Sequence, residues 1–448
     1  MNMDLGQEPD HKRDCSPRCG ARIGKITRRR FSIGAGAAIA SPWVAASTAL
    51  GRAGRPPASE RIVMGAIGLG GRCLGQQVLQ NFLAEPEVQM VAVCDVQSQR
   101  RAAGQAVVND TYGNRNCAAY RDLRELLARE DLDAVLIATG DRWHALASVT
   151  AAKAGKDVYC EKPMSLTIAE GRAVADAMRT LGRVYQGGTQ RRSVPKFHYA
   201  AEIARSGKLG RLRTVYGYTP GFVPNIGAFQ ARPPQPEPPR EIVDWDLWLG
   251  PVAWRPYNSE YVAGLGGWSH VPDLGGGGIT DWGAHQADLS QYANDAELSS
   301  PVEYQQLSGS EVAATYPNGV RLVFHAGIPA GACLMIRLEG TEGWISVDDN
   351  LGFEADPPSL LGPYRPRERS SFDKAANHIQ DFLRCIRTRS QPVCNAEVAH
   401  RATTACHAAN LCVCLGRPLK WDPAKEQFVG DDVANRMRSR ALREPWRF

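Results

Sequence analysis

The sequence predicts an α/β chain in which a doubly wound parallel sheet is followed by an α+β domain built on an open, mostly antiparallel sheet. Two patterns carry that expectation. From residue 60 to about 187, apolar runs of strand length alternate with stretches of helix length, the mark of βαβ crossovers. From 188 to about 425, strand-like runs follow one another in sequence, which suits antiparallel neighbours. With 448 residues there is length for two or three domains and a large core. The expected parts are a leader over 1–59, a nucleotide-binding unit over 60–187, an α+β unit for substrate and oligomer contacts over 188–425, and a basic arm over 426–448.

The leader explains the charge. Residues 1–59 hold 10 Lys/Arg against 4 Asp/Glu, which accounts for the whole formal net charge of +6. From Glu60 onward the chain is neutral, and no basic stripe interleaved with aromatics suggests nucleic acid. Thr27-Arg28-Arg29-Arg30-Phe31-Ser32-Ile33 precedes an apolar, Ala/Gly-rich run over 34–50, the pattern of a twin-arginine export signal. That run is mildly apolar and holds Pro42, so no stable membrane anchor is expected. A periplasmic or other extracytoplasmic destination follows, and a protein exported folded can load its nucleotide beforehand. A basic N-terminus with no export role is the alternative. Of 12 cysteines, Cys15 and Cys19 lie in the leader and the rest are scattered through apolar runs. Neither a disulfide scaffold nor a metal site is expected.

In the first unit, the strand-like run 61–67 leads straight into Gly68-Leu69-Gly70-Gly71-Arg72-Cys73 and a helical pattern over 74–82. That is the setting of a dinucleotide turn: one glycine for the bend, one to clear a Cβ from the pyrophosphate, and a helix N-terminus for the phosphates. The third fingerprint position is Cys73, not Gly or Ala. A second strand, 88–94, ends at Asp95, 22 residues beyond Cys73. A carboxylate there accepts ribose hydroxyls and repels a 2′-phosphate, so NAD is favoured, with NADP possible because Arg100 and Arg101 are near. Helix capping by Asp95 is the bland alternative. Alternation continues with helix 121–129, strand 133–139, helix 142–154, strand 156–160, helix 166–181 and strand 183–187. Ligands on such sheets bind at the carboxyl ends of the strands, which lines up Gly68, Asp95, Thr139, Lys162 and Gln190 along one crevice.

Asp157-Val158-Tyr159-Cys160-Glu161-Lys162-Pro163 closes a buried strand with a charged pair and a proline. Proline biases the residue before it toward extended backbone, so this is a rigid strand end at the domain junction. Lys162 can then face both cofactor and substrate. A solvated lysine in an ordinary turn is the competing reading.

The second unit opens with a helix over 194–206, then strands over 211–218, 302–307, 312–316, 320–325, 334–339 and 343–347. The proline-rich insertion 220–261 carries Trp245, Trp248 and Trp254, with Trp268 just beyond. Indole faces suit a sugar ring, and equally a structural seal or subunit contact. Next, four glycines at 275–278 allow close backbone approach to a ligand, and the following helix sets Asp281 and His285 at i and i+4 on one face, with Asp288 a turn further. Such a pair can remove an alcohol proton while a nicotinamide accepts the hydride, and an unperturbed imidazole suits that task near neutrality. Surface capping and metal ligation compete, although no third metal ligand can be placed. Helices over 372–388 and 396–415 hold His378, His400 and His407, read as core or capping residues. The terminal stretch 432–448 has five Arg against two acids and reads as an arm on a neighbouring subunit or as disordered chain.

Gly68-x-Gly70-Gly71-Arg72, Ala138-Thr139 with Trp143-His144, Cys160-Glu161-Lys162-Pro163 and the Asp281/His285 helix together resemble the Gfo/Idh/MocA oxidoreductases over roughly residues 60–425. The resemblance implies an N-terminal Rossmann domain and a homo-oligomer, dimer or tetramer. It implies cofactor contacts at Gly68, Gly70, Gly71, Arg72, Asp95, Thr139, Trp143, His144, Glu161, Lys162 and Gln190. It also implies that Lys162 stabilises a developing alkoxide and helps position the nicotinamide, that Asp281 orients substrate, and that His285 is the base. The expected activity is NAD(H)-dependent interconversion of a secondary alcohol and a ketone on a sugar, polyol or glycoside. Redox-neutral glycoside cleavage by transient oxidation and elimination is the alternative, and a non-catalytic nucleotide or sugar binder the third reading.

Overall fold

The computed structural model describes residues 55–222, 231–362 and 375–448. The twin-arginine stretch and part of the proline-rich insertion lie outside them. The first unit is a six-stranded parallel sheet of β1 (Ile62–Ile67), β2 (Val88–Cys94), β3 (Ala118–Tyr120), β4 (Ala134–Ile137), β5 (Asp157–Cys160) and β6 (Tyr185–Gly187). Its order is β3-β2-β1-β4-β5-β6, so the winding reverses between β1 and β4 and a crevice opens at their carboxyl ends. These strands are apolar on both faces, as a sheet covered on both sides must be: Val135, Leu136 and Ile137 are all fully buried.

Three helices predicted here, Leu123–Leu127, Asp141–Lys153 and Ile168–Thr180, form within a few residues of expectation. The helix after the glycine turn does not form as a single unit. One wide turn at Gly71–Gly75 and a left-handed Gln77 (φ 60) come first, and the regular helix starts only at Val78. Two glutamines and Gly75 in that stretch supply neither a cap nor an apolar stripe to hold it regular. The opposite face of the sheet is completed from afar. Ile379, Phe382, Leu383 and Cys385 of the helix Ala375–Thr388 share a buried cluster with Met64, Phe82 and Tyr159, and Tyr159 meets Phe82 and Phe382 edge-on.

The second unit holds β7 (Leu212–Thr219), β8 (Glu303–Ser308), β9 (Glu311–Thr315), β10 (Arg321–Ala326), β11 (Met335–Gly340), β12 (Trp344–Asp348), β13 (Gly352–Asp356), β14 (Leu419–Asp422) and β15 (Gln427–Phe428). They form one sheet in the order β13-β12-β11-β7-β10-β9-β8-β14-β15, antiparallel except for β7 beside β10. On β7 the alternation is strict: Val215, Gly217 and Thr219 are buried under the helix Gly277–Ala293, while Thr214, Tyr216 and Tyr218 face outward. β13 to β15 were not expected from the sequence.

The two units are clamped together by charge. Arg172 of the helix Ile168–Thr180 grips Glu397 through both terminal nitrogens (2.7 and 2.9 Å) and also Glu426 (2.6 Å), and Arg401 joins both acids. Burial would raise the Glu397 carboxyl, but the two guanidinium groups outweigh it and hold the group down at about 2, below the ordinary 4.5. A depressed carboxylate contributes stability above its unfolded value, lost as pH falls through the folded one. Glu397→Gln is therefore expected to flatten the drop in thermal midpoint between pH 4.5 and 2, measured by scanning calorimetry. A variant as acid-sensitive as the parent would show the network to be idle.

The basic tail makes contacts within its own chain. Arg440 pairs with Glu170 (2.5 Å), Arg443 with Asp246 (2.5 Å), and Trp446 meets the Trp143 ring edge-on at 4.9 Å. Arg440 and Arg443 also donate to carbonyls along the seam between the helix Asp141–Lys153 and the insertion, at Arg142 and Gly250.

Candidate active site

The crevice is a cavity of about 410 Å³ between the units. Its nucleotide end is walled by Gly68, Gly70, Gly71, Arg72, Asp95, Arg100 and Arg121, its far end by Lys162, Asp281, His285, Trp248 and Trp268.

Gly68 is needed twice over: its φ is +85°, and a Cβ would stand 2.6 Å from the Thr139 amide nitrogen. Gly70 and Gly71 differ. A Cβ on Gly71 would meet nothing within 4 Å, and one on Gly70 only Arg100 at 3.4 Å, so that space is not filled by protein. Asp95 is buried (8% exposed), accepting from the Leu69 amide (2.7 Å) and the Gln97 amide (2.8 Å). It caps no helix, since Gln97 holds the cap position of Ser98–Tyr112. Burial raises its carboxyl, against the pull of those two amides and of Arg100 and Arg101.

Thr139, Trp143 and His144 also line the cavity, but their polar atoms are largely engaged elsewhere. The Trp143 indole N–H donates to Leu247 O (3.0 Å). His144 spans Pro163 O (2.6 Å) and Thr139 O (3.1 Å), lashing the end of β4 to the turn after β5. Burial lowers its pKa, so the ring is neutral at pH 7 and donates to one of the two carbonyls, the nearer being that of Pro163. Gln190 is not on the cavity wall: it lies behind Glu161, donating to Glu161 Oε1 (2.8 Å). The same Oε1 accepts from Arg72 (2.9 Å), which leaves Glu161 Oε2 buried with no partner among the described residues. Its neighbour Arg191 lines the cavity instead, a position the strand-end rule missed by one residue.

Lys162 and the helix Gly277–Ala293 meet across 119 residues of sequence: the ammonium is ion-paired with Asp281. One helical turn on, His285 lines the same cavity, 2% exposed, with Nδ1 buried and unpartnered among the described residues. Its environment is not that of a free imidazole. Burial first, then Arg191, Lys162 and Arg72, pull its pKa well below 6.5. The ring is thus neutral and open to a proton at pH 7.

Two glycines of the tetraglycine run are required by packing of the chain on itself. A Cβ on Gly275 would strike Ser269 O (2.5 Å), and one on Gly278 would strike Gly221 O (2.0 Å). These glycines let chain pass against chain, and that packing fixes the start of the Asp281/His285 helix. Asp288 faces away from the cavity, toward Arg192 (2.9 Å). The tryptophans divide. Trp245 and Trp248 stack at 4.8 Å in a buried cluster with Tyr257 and Tyr261, Trp248 and Trp268 reach the cavity, and Trp254 is exposed. His378, His400 and His407 are buried and hydrogen-bonded to Gly187 O, Glu426 and Ser165 O, respectively. Among the described residues no cluster of His, Cys, Asp or Glu could hold a metal ion.

Asp141 was not foreseen. It is the first residue of its helix, two places beyond Thr139 at the carboxyl end of β4, where the same strand-end rule would have found it.

Two family models match the chain. One, described as "Oxidoreductase family, NAD-binding Rossmann fold", covers residues 62–189, and the other, "Oxidoreductase family, C-terminal alpha/beta domain", covers 228–448. The oxidoreductase YrbE of Bacillus subtilis is 24% identical over 385 residues, 81% of this chain and 97% of that protein. Inositol 2-dehydrogenase of Salmonella typhimurium is 33% identical over 147 residues, 32% of this chain and 42% of its own length. Among solved structures, aldose-aldose oxidoreductase from Caulobacter crescentus shares the fold at a TM-score of 0.57 and 20% identity, over 80% of this chain and 99% of that one. The unfilled space above Gly70 and Gly71 and the unpartnered Glu161 Oε2 fit the dinucleotide that such a Rossmann domain binds.

Proposed function

Because the chain belongs to the Gfo/Idh/MocA oxidoreductase family and carries its NAD-binding Rossmann domain, we propose that it interconverts a secondary alcohol and a ketone on a sugar, polyol or glycoside. The observation that carries this reading is the shared cavity: Lys162, Asp281 and His285 lie at one end, the glycine turn and Asp95 at the other.

NAD bound over Gly70 and Gly71 supplies the hydride acceptor. The remaining work belongs to side chains. His285 accepts the hydroxyl proton, and its lowered pKa keeps it in the accepting form. Lys162 stabilises the negative charge that develops on that oxygen, and Asp281 holds the ammonium in place while orienting the hydroxyl. Glu161, pinned by Arg72 and Gln190 through Oε1, lines the cavity with Oε2 left without a protein partner among the described residues. Asp95 supports NAD over NADP, although Arg100 and Arg121 on the same wall make the comparison worth measuring. The same proposal extends to export by the twin-arginine route and to a homo-oligomer. Tyr216, Tyr218 and Trp344, half-buried on strands of the second sheet, support the latter.

Stoichiometry tests the reaction. Purified protein incubated with NAD and a panel of polyols, aldoses and glycosides is expected to accumulate NADH, one per ketone formed. Glycoside cleavage with no net NADH would replace this reading by the redox-neutral one, and binding with neither product would leave a binding protein.

A further inference from the structure

Beside the pair of Lys162 and Asp281 lies a second carboxyl, Asp141, on the same cavity wall and 7% exposed. One of its oxygens, Oδ2, accepts a long hydrogen bond from the Gly276 amide (3.4 Å), and among the described residues no protein donor reaches Oδ1. The cation next to it in sequence is not its partner. Arg142 is turned away, with its guanidinium 3.6 Å over the Trp248 ring and its Nε donating to Trp248 O (2.8 Å). Lys162 is already paired with Asp281. Two carboxyl groups therefore lie beside one ammonium, which is paired with only one of them, and both cannot be ionised at low cost.

We propose that Asp141 is a substrate-recognition residue of this cavity, which hydrogen-bonds a second hydroxyl of the substrate beside the one enclosed by Lys162, Asp281 and His285. The substrate class narrows accordingly to compounds with two neighbouring hydroxyls, as in cyclic polyols and aldoses, and away from simple secondary alcohols. This rests on the oxidoreductase reading above.

The charge environment supports the donor role. Burial first, then the nearby Asp281, push the Asp141 carboxyl up to about 7, against the opposing pull of Lys162, the Gly276 amide and Arg142. The other charged group on this side is Arg440 of the tail, which reaches the Arg142 carbonyl. Below pH 7 Asp141 is an acid that can donate to a hydroxyl oxygen. Above it, a second negative charge appears next to Asp281 and can only accept. Substrate affinity that depends on the donated bond should then weaken as pH rises through neutrality.

Two measurements on the NAD-loaded protein test this. Infrared difference titration from pH 5 to 9 is expected to show a protonated-carboxyl component that is lost near pH 7 and is missing in Asp141→Asn, over the component of Asp288, pushed up to about 6 and present in both proteins; identical signals in the two proteins overturn the proposal. Steady-state kinetics then use the best substrate from a panel containing myo-inositol, aldoses and cyclohexanol. Asp141→Ala is expected to raise KM by about tenfold, as for one lost hydrogen bond, with kcat changed less than threefold. Asp141→Asn, whose amide still donates, should keep the parental KM at pH 6 and lose its rise toward pH 9. Cyclohexanol serving as well as the polyols, or an equal fall of kcat in both variants, overturns the proposal. If no compound yields NADH, the oxidoreductase reading fails, and the infrared titration still decides whether Asp141 carries its proton.

Discussion

Lys162→Met is expected to lower turnover by at least ~10²-fold while NAD binding changes little, and His285→Ala to do the same. The reasoning is electrostatic. The Lys162 ammonium, 15% exposed, is the cation paired with Asp281 at the substrate end of the cavity. Removing it takes away the charge that would meet an alkoxide and leaves Asp281 unpaired, which opposes that alkoxide. His285→Ala removes the proton acceptor itself. The two losses differ in pH dependence. A base is active above its pKa, and the pKa of His285 is pulled well below 6.5, so the parental kcat should hold as pH falls past 6.5 and decline only in more acid solution. In His285→Ala that decline should vanish. Nucleotide content after gel filtration, read by absorbance and mass, separates loss of chemistry from loss of cofactor. Unchanged turnover in either variant would remove that residue from the mechanism.

How much of this site could be read in advance depends on how local the controlling physics is. The glycine turn, Asp95 and Lys162 were legible because strand ends in a parallel sheet are where ligands bind, and each strand announced itself by its apolar run. The Asp281/His285 pair was legible because helical geometry sets residues i and i+4 on one face. What sequence could not supply was the partner. Gln190 and Arg191 are neighbours, and only the bend after β6 decides that one bonds Glu161 behind the wall while the other reaches the cavity. At Gly275 and Gly278 the close neighbours are the carbonyls of Ser269 and Gly221, and a glycine in the sequence records only that something comes close, not what it is. The contacts of the tail show the same limit. Its arginines were visible, while Glu170 and Asp246, which hold them, are far away in sequence.

A different long-range pair seats the helix Gly277–Ala293 and gives the largest stability effect expected. Arg192 and Asp288 are 4% and 1% exposed, with Nε 2.9 Å from Oδ2, though the N–H is not aimed along that line. Arg192 also bonds Glu297 (2.5 Å). Asp288 sits one turn beyond His285, so this pair seats the far side of the helix Gly277–Ala293. Burial pushes the Asp288 carboxyl up to about 6 although Arg192 pulls it down. Arg192→Met leaves that carboxyl buried without its cation and is expected to cost about 3 kcal/mol at pH 8, the lower end for a broken buried pair because the hydrogen-bond geometry is imperfect. The sign with pH follows from linkage. A carboxyl whose folded pKa lies above its unfolded value of 3.8 favours the folded state below that value, and the benefit is lost as pH rises through the folded pKa. Without Arg192 that pKa climbs further, so the deficit of the variant should shrink between pH 8 and pH 5, as Asp288 takes up a proton. Adding Asp288→Asn should recover most of the loss at pH 8, because no charge is then left unpaired. Urea unfolding of the three proteins at both pH values measures this. A deficit that grows at pH 5, or a double variant no better than the single one, would show that Arg192 stabilises the helix through Glu297 or by packing rather than through Asp288.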